Sequence, residues 1–168
     1  MLILGLDPGS LHTGFGLIDK QGSQLRVVEA GRLSPPRDLE LPLRLARLVV
    51  GLEELLQRTA PELVVLETPF FGLNARSAIV LAQARGALLA TLAARGLEIR
   101  EVSPAEVKSA VTGNGRADKA QVAQMVRLLL NARSAKWSSD ATDALAVALC
   151  GAQRLRMDRL ADPRRPAK

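Results

Sequence analysis

Two acidic residues occupy the same kind of position in this chain. The apolar run Leu2 to Leu6 ends in Asp7, and Pro8 and Gly9 then force a turn. The run Leu63 to Leu66 ends in Glu67, followed by Thr68 and Pro69. A short apolar run closed by turn residues suits a strand buried on both faces. Each carboxylate would then stand at the carboxyl end of a core strand, where sites form in open α/β sheets. A carboxylate held there is costly unless something pairs with it. Asp140 and Asp143 are three residues apart and so project from one face of a helix, in its first turn. Singly, each acid has a plainer reading. Asp7 can bond to its own bend, and first-turn acids can simply cap the helix and answer its dipole.

Jointly they imply chemistry. Carboxylates gathered without cations raise one another's pKa values and cost stability. A hard cation removes that cost. Oxygen-only ligation, in a chain with one Cys and one His, favours Mg²⁺ or Mn²⁺ over zinc. Two such ions roughly 3.5–4 Å apart would activate a water and stabilise the leaving oxygen of a phosphodiester.

Composition agrees with a phosphodiester substrate. The formal net charge is +6 and the pI is about 10.4, which suggests a polyanionic partner, most often nucleic acid. The alternative is charge that merely keeps a small protein soluble. Three Phe, one Trp and no Tyr argue against a single-strand binder that stacks bases on rings. With Cys150 alone, an internal disulfide and a Cys-based zinc site are both excluded. The length of 168 residues and 48% apolar content fit one domain with a substantial core. Apolar runs fall short of a membrane span, and no secretory pattern opens the chain. The expectation is a cytoplasmic protein without a membrane partner.

The elements that must position the acids follow from periodicity. Residues 12–19 and 25–33 read as strands joined by a turn at Lys20–Ser23, which with the opening strand make an antiparallel meander. A Pro-rich loop spans 34–42. From Leu43 to Arg58 the period becomes helical, with Leu45, Leu48, Val49, Leu52, Leu55 and Leu56 on one face. The strand ending at Glu67 follows. An Ala-rich helix covers 75–95, and its small residues Ala82, Ala84, Gly86 and Ala87 permit close packing. A strand at 97–102 precedes a helix opened by Ser103, Pro104 and Glu106, a capping signature. A glycine-containing loop at 112–116 leads to a helix at 118–131, and the last helix starts near Ser138. Residues 1–157 form one domain, and 158–168 read as a disordered basic tail.

The stretches GLDPGSLHTGFG, VVLETPFFGLN, LAQARG, PAEVKSAVTGNGRADKAQVAQMV and DATDALAVAL resemble the RuvC family of Holliday-junction resolvases over nearly the whole chain. That resemblance implies a ribonuclease H-like α/β fold: a mixed five-stranded sheet, a meander plus parallel strands, with helices on both faces. It implies that Asp7, Glu67, Asp140 and Asp143 bind two metal ions, Asp7 bridging both. It also implies DNA contacts by Lys108 and Lys119 near the scissile phosphate, with Lys119 stabilising transition-state charge. Read without it, either lysine is a solvated helix residue. Arg76, Arg85 and Arg116 are weaker candidates for backbone contact, with packing or dimer contact an equal alternative for Arg76 and Arg85. Phe70 and Phe71 either wedge against a base at the junction or pack as a flap. Gly72 and Leu73 stand where family members often carry a basic residue. Asn74 matches the family and also suits a helix cap. His12 reads as a surface residue, Trp137 and Cys150 as packing residues, and Gly9, Gly14 and Gly16 as serving tight backbone geometry.

The family acts as a homodimer on four-way junction DNA, with the RuvA–RuvB branch-migration complex as partner. The helix at 75–95 is the candidate dimer contact. Two other classes remain open at this point: a junction-binding module without catalysis, and a nucleotide-binding protein of the actin and sugar-kinase type, whose phosphate loop DPGSLHTG resembles.

Overall fold

The computed structural model describes residues 1–9, 11–68 and 75–161. Strands β1 (Leu2–Asp7), β2 (Thr13–Gln21) and β3 (Gln24–Leu33) form the expected meander. Helix α1 (Leu41–Thr59) leads to β4 (Leu63–Glu67), and α2 (Ala75–Ala94) leads to β5 (Glu98–Val102). Helices α3 (Pro104–Thr112), α4 (Lys119–Leu129) and α5 (Ser139–Ala161) complete the chain. The sheet runs β3-β2-β1-β4-β5. β1 pairs antiparallel with β2 and parallel with β4, and β4 pairs parallel with β5. This is the mixed five-stranded α/β sheet with helices on both faces that the resemblance implied.

Strand alternation sorts the core into two layers. Leu4, Leu6, Val64 and Leu66 face α1 and α2. Ile3, Leu63 and Val65 face the layer of α3, α4 and α5. α5 lies unusually close to the sheet. Gly5 and Gly16 are cross-strand partners. A Cβ on Gly5 would stand 2.1 Å from the carbonyl oxygen of Ala144, and one on Gly16 would stand 2.7 Å from the amide nitrogen of Leu145. Gly151 of α5 repeats the fit against Val65, 2.4 Å from a would-be Cβ. Gly14, with the Asp140 carbonyl against it, and Gly16 thus serve the tight backbone geometry expected of them by letting helix approach sheet.

The β2–β3 hairpin turns on Gly22 and Ser23, tighter than the four-residue turn expected. Gly22 takes φ 61°, at the first central position of a two-residue turn. Farther along, the register shifts between Leu17 and Ile18, leaving Val28 as an extra, exposed residue in β3. Such a bulge bends a strand and re-aims the side chains beyond it.

Capping follows the sequence at α3, where Ser103 and Glu106 bond reciprocally. The same device opens α4, where Asp118 and Gln121 form a second capping box. Arg154 of α5 ties this layer together. It donates to the Glu101 carbonyl of β5 at 3.0 Å and to Glu106 at 2.7 Å. α5 itself continues to Ala161, past the boundary at Met157 where a tail was expected; 162–168 lie outside the described residues. Cys150 is buried in α5, and burial pushes its thiol up to about 11.

At 20 residues α2 is long and apolar enough to cross a membrane, by length and composition only, contrary to the reading that no segment approached such a span. Its place here is against α1, with Ala84, Leu88, Thr91 and Leu92 buried. Arg85 in its middle pairs with Glu101 of β5 at 2.7 Å.

Candidate active site

β1 and β4 run parallel, and Leu6 and Leu66 are register partners. Asp7 and Glu67 follow them directly, so both carboxylates leave the sheet side by side at its carboxyl end. By strand parity both point to the α5 face. Asp7 is also the cross-strand partner of Gly14, and the backbone of Asp140 sits on Gly14, 2.1 Å from a would-be Cβ. The first turn of α5 is thus delivered onto the end of β1. Asp140 lies there, and Asp143 follows one turn on. The Ser138 carbonyl accepts from both the amide (3.0 Å) and the hydroxyl (2.9 Å) of Thr142, while the Ser138 hydroxyl accepts from the amide of Ala141 at 3.3 Å, fixing the start of the helix.

The electrostatics record this crowding. Asp7 is pushed up to about 7, first by burial and then by the charges of Glu67, Asp143 and Asp140, with Lys119 opposing. Glu67 is raised by burial and by Asp143, against Lys119 and Lys108. Lys119 is raised, chiefly by the charge of Asp143 and its hydrogen bond to that residue at 3.3 Å. Lys119 pairs with Asp143, Arg32 approaches Asp140 at 3.8 Å, and Lys108 is near enough to act on Glu67. No three of the acids stand close enough, among the described residues, to grip one ion as placed. The chemistry of the donors nevertheless fits a hard divalent cation. They offer only oxygen, and burial with neighbouring carboxylate charge raises Asp7 and Glu67, as crowded acids with no cation between them are raised.

The other sequence-derived candidates divide. Lys108 is half-buried on α3, close enough to act on Glu67. Arg116 is exposed in the loop between α3 and α4, its amide bonded to Asn114 at 2.9 Å. Arg76 is exposed on the first turn of α2. Arg85 is half-buried in its ion pair with Glu101 of β5. Phe70, Phe71 and Asn74 lie outside the described residues. His12 bonds Ser34 and Arg37 and not the acids. Arg32 was missed altogether. Its partnership with Asp140 depends on the register of β3, which periodicity does not reveal.

The family model for crossover junction endodeoxyribonuclease RuvC matches residues 3–151. The chain belongs to the RuvC family. A relative from Chlorobaculum parvum is 46% identical over 154 residues, covering 92% of this chain and 82% of its own. One from a Geobacter species is 44% identical, covering 95% and 97%. Both are crossover junction endodeoxyribonucleases. The solved structure of Thermus thermophilus RuvC superposes with a TM-score of 0.85 at 32% identity, covering 94% of this chain and 97% of its own. The same protein in complex with a Holliday junction substrate gives 0.84 at 30% identity, covering 94% and 96%. The yeast mitochondrial resolvase Ydc2 shares the fold, with a TM-score of 0.69.

Proposed function

We infer that the protein is a structure-specific endonuclease that resolves Holliday junctions by symmetric paired nicks in homologous recombination and repair. The observation that carries this is the delivery of Asp140 and Asp143 onto the ends of β1 and β4, beside Asp7 and Glu67, in a chain of the RuvC family. Cleavage is phosphodiester hydrolysis leaving 5′-phosphate and 3′-hydroxyl ends.

Asp7, Glu67, Asp140 and Asp143 would hold Mg²⁺ or Mn²⁺, two ions per site. Bound there, the ions supply the charge that activates water and offsets the negative charge of the reacting phosphate. The chain's own residues do the rest. Asp7 and Glu67 are fixed by the core strands, which gives the rigid placement that catalysis needs. Lys119, whose ammonium already faces the acids, would neutralise charge developing on the phosphate. Lys108, on the same side, would hold the DNA backbone, with Arg76 and Arg116 as outer contacts. Phe70, Phe71 and Asn74 remain candidates for contact with the junction centre.

A four-way junction has two-fold symmetry, and a two-fold dimer would match it. The outer face of α2 supports that assembly. Ile79 is 59% exposed and a Cβ on Gly86 would meet nothing, so an apolar, small-residue surface is open to a second copy. Family membership favours action in the cytoplasm with the RuvA–RuvB complex.

The test is incubation with a synthetic four-way junction, with and without Mn²⁺, mapping cuts on all strands. Paired cuts on opposed strands are expected only with the ion. Binding without cutting in Mn²⁺ and in Mg²⁺ would instead make the protein a junction-binding module.

A further inference from the structure

We propose that Arg32 and Arg37, steadied by His12, form a second wall that grips the DNA phosphodiester backbone on the β3 side of the carboxylate site. This deepens the nuclease reading and rests on it. Lys108 and Lys119 lie on α3 and α4, beyond Glu67. β3 is at the opposite edge of the sheet. On that side the register places Arg32 opposite Gly14, and directly opposed residues share a face. Arg32 therefore faces α5, where its guanidinium reaches Asp140 at 3.8 Å. That distance is long for a paired guanidinium, and the side chain is 51% exposed. A phosphate arriving beside Asp140 would meet a guanidinium that is near at hand but weakly held.

The bulge at Val28 produces this placement. Pairing counted from the hairpin turn would put Gly31 opposite Gly14. The extra residue advances β3 by one, so Gly31 falls under the Phe15 ring and Arg32 turns to the site. Just beyond β3, Arg37 bonds the His12 ring at 3.1 Å, and the ring bonds the Ser34 hydroxyl at 2.9 Å. Because guanidinium only donates, the His12 Nε2 accepts, and its Nδ1–H is left to donate to Ser34. The ring thus orients Arg37 without neutralising it. Asp38 and Glu40 follow in the same loop, yet no carboxylate pairs with Arg37 among the described residues. One guanidinium stands beside the acids and the other in the loop just after the same strand, and planar guanidinium groups suit phosphate oxygens.

The experiment is junction binding in EDTA across a salt series, with wild type, Arg32→Gln, Arg37→Gln and the double variant, alongside cleavage in Mn²⁺ and in Mg²⁺. Both side chains are exposed, so the variants retain the fold. Each lost phosphate contact should reduce the log–log salt slope by about 0.9. The double variant should bind about tenfold more weakly at ~0.1 M salt, and Arg32→Lys should recover part of the loss. If the wild type binds and cuts but the variants keep its affinity and slope, the second wall is refuted and the nuclease reading stands. Slower cutting by Arg32→Gln with an unchanged slope also refutes it, because Arg32 then only positions Asp140. A wild type that fails to cut in both Mn²⁺ and Mg²⁺ overturns the nuclease reading itself.

Discussion

The carbonyl oxygen of Asp140 occupies the space where a side chain on Gly14 would begin, 2.1 Å from a would-be Cβ. Because Gly14 is the cross-strand partner of Asp7, one missing side chain sets the distance between a strand acid and a helix acid. Gly14→Ala should force the start of α5 outward. A shift near 1 Å in catalytic groups costs on the order of 100-fold in rate, and overpacking costs about 1–3 kcal/mol. Single-turnover cleavage and a melting curve measure both. Junction affinity should stay within a few-fold, and a variant cutting at the normal rate would show that the helix has slack there.

Asp7→Asn and Glu67→Gln should abolish cleavage while leaving junction binding largely intact, because phosphate contacts come from Lys and Arg. Gel-shift and cleavage assays on the same preparations separate the two. Normal turnover by either variant removes that acid from the mechanism.

The raised pKa of Asp7 makes a prediction about pH. Without divalent ions, the folded protein keeps a proton on Asp7 up to about pH 7, whereas an unfolded Asp loses it near its ordinary value of 3.8. The native state therefore binds more protons between those limits, and this group's contribution to stability falls as pH rises through that window. In EDTA at pH 8, Asp7→Asn should melt above the wild type, with a gain on the order of 2–4 kcal/mol. At pH 4 the difference should vanish. Divalent-ion binding, followed by calorimetry in buffers of different ionisation heat, should weaken below pH 7 and release protons. A variant no more stable than wild type at pH 8 would contradict the burial of an ionised Asp7.

Lys119 lowers the pKa of both Asp7 and Glu67. Lys119→Ala should therefore shift the acid limb of the pH–rate profile upward and slow cutting more than it weakens binding. Equal losses in both would assign Lys119 to affinity alone.

Ile79 stands exposed on α2, so Ile79→Glu should convert the proposed dimer to monomers without loss of fold. Sedimentation reads the mass, and circular dichroism reads the fold. Junctions should then receive unpaired nicks. A variant that remains dimeric places the contact elsewhere.

Much of this architecture can be read in the residues. Apolar runs ending in Asp7 and Glu67 announced two strands and the end of the sheet where the acids gather. The Ser103–Glu106 signature located α3. What periodicity cannot express is partnership between strands. Arg32 looks like any exposed strand residue until the bulge at Val28 turns it toward Asp140. Gly14 and Gly16 suggested only tight backbone geometry, because sequence shows that a side chain is missing, not what fills the space. The second capping box, Asp118 with Gln121, was legible but overshadowed by Lys119 beside it. α2 was underestimated because Arg76 and Arg85 interrupt an otherwise apolar segment.

Sealing Cys150 inside α5, with its thiol held at about 11, has a practical consequence. A thiol reacts as its thiolate, so maleimide dyes should leave the native chain unlabelled under gentle conditions. One cysteine engineered on the surface would then be the sole attachment point, with no need to remove the natural one. Fluorophores placed that way on the two copies of the proposed dimer could follow the opening of a junction in real time.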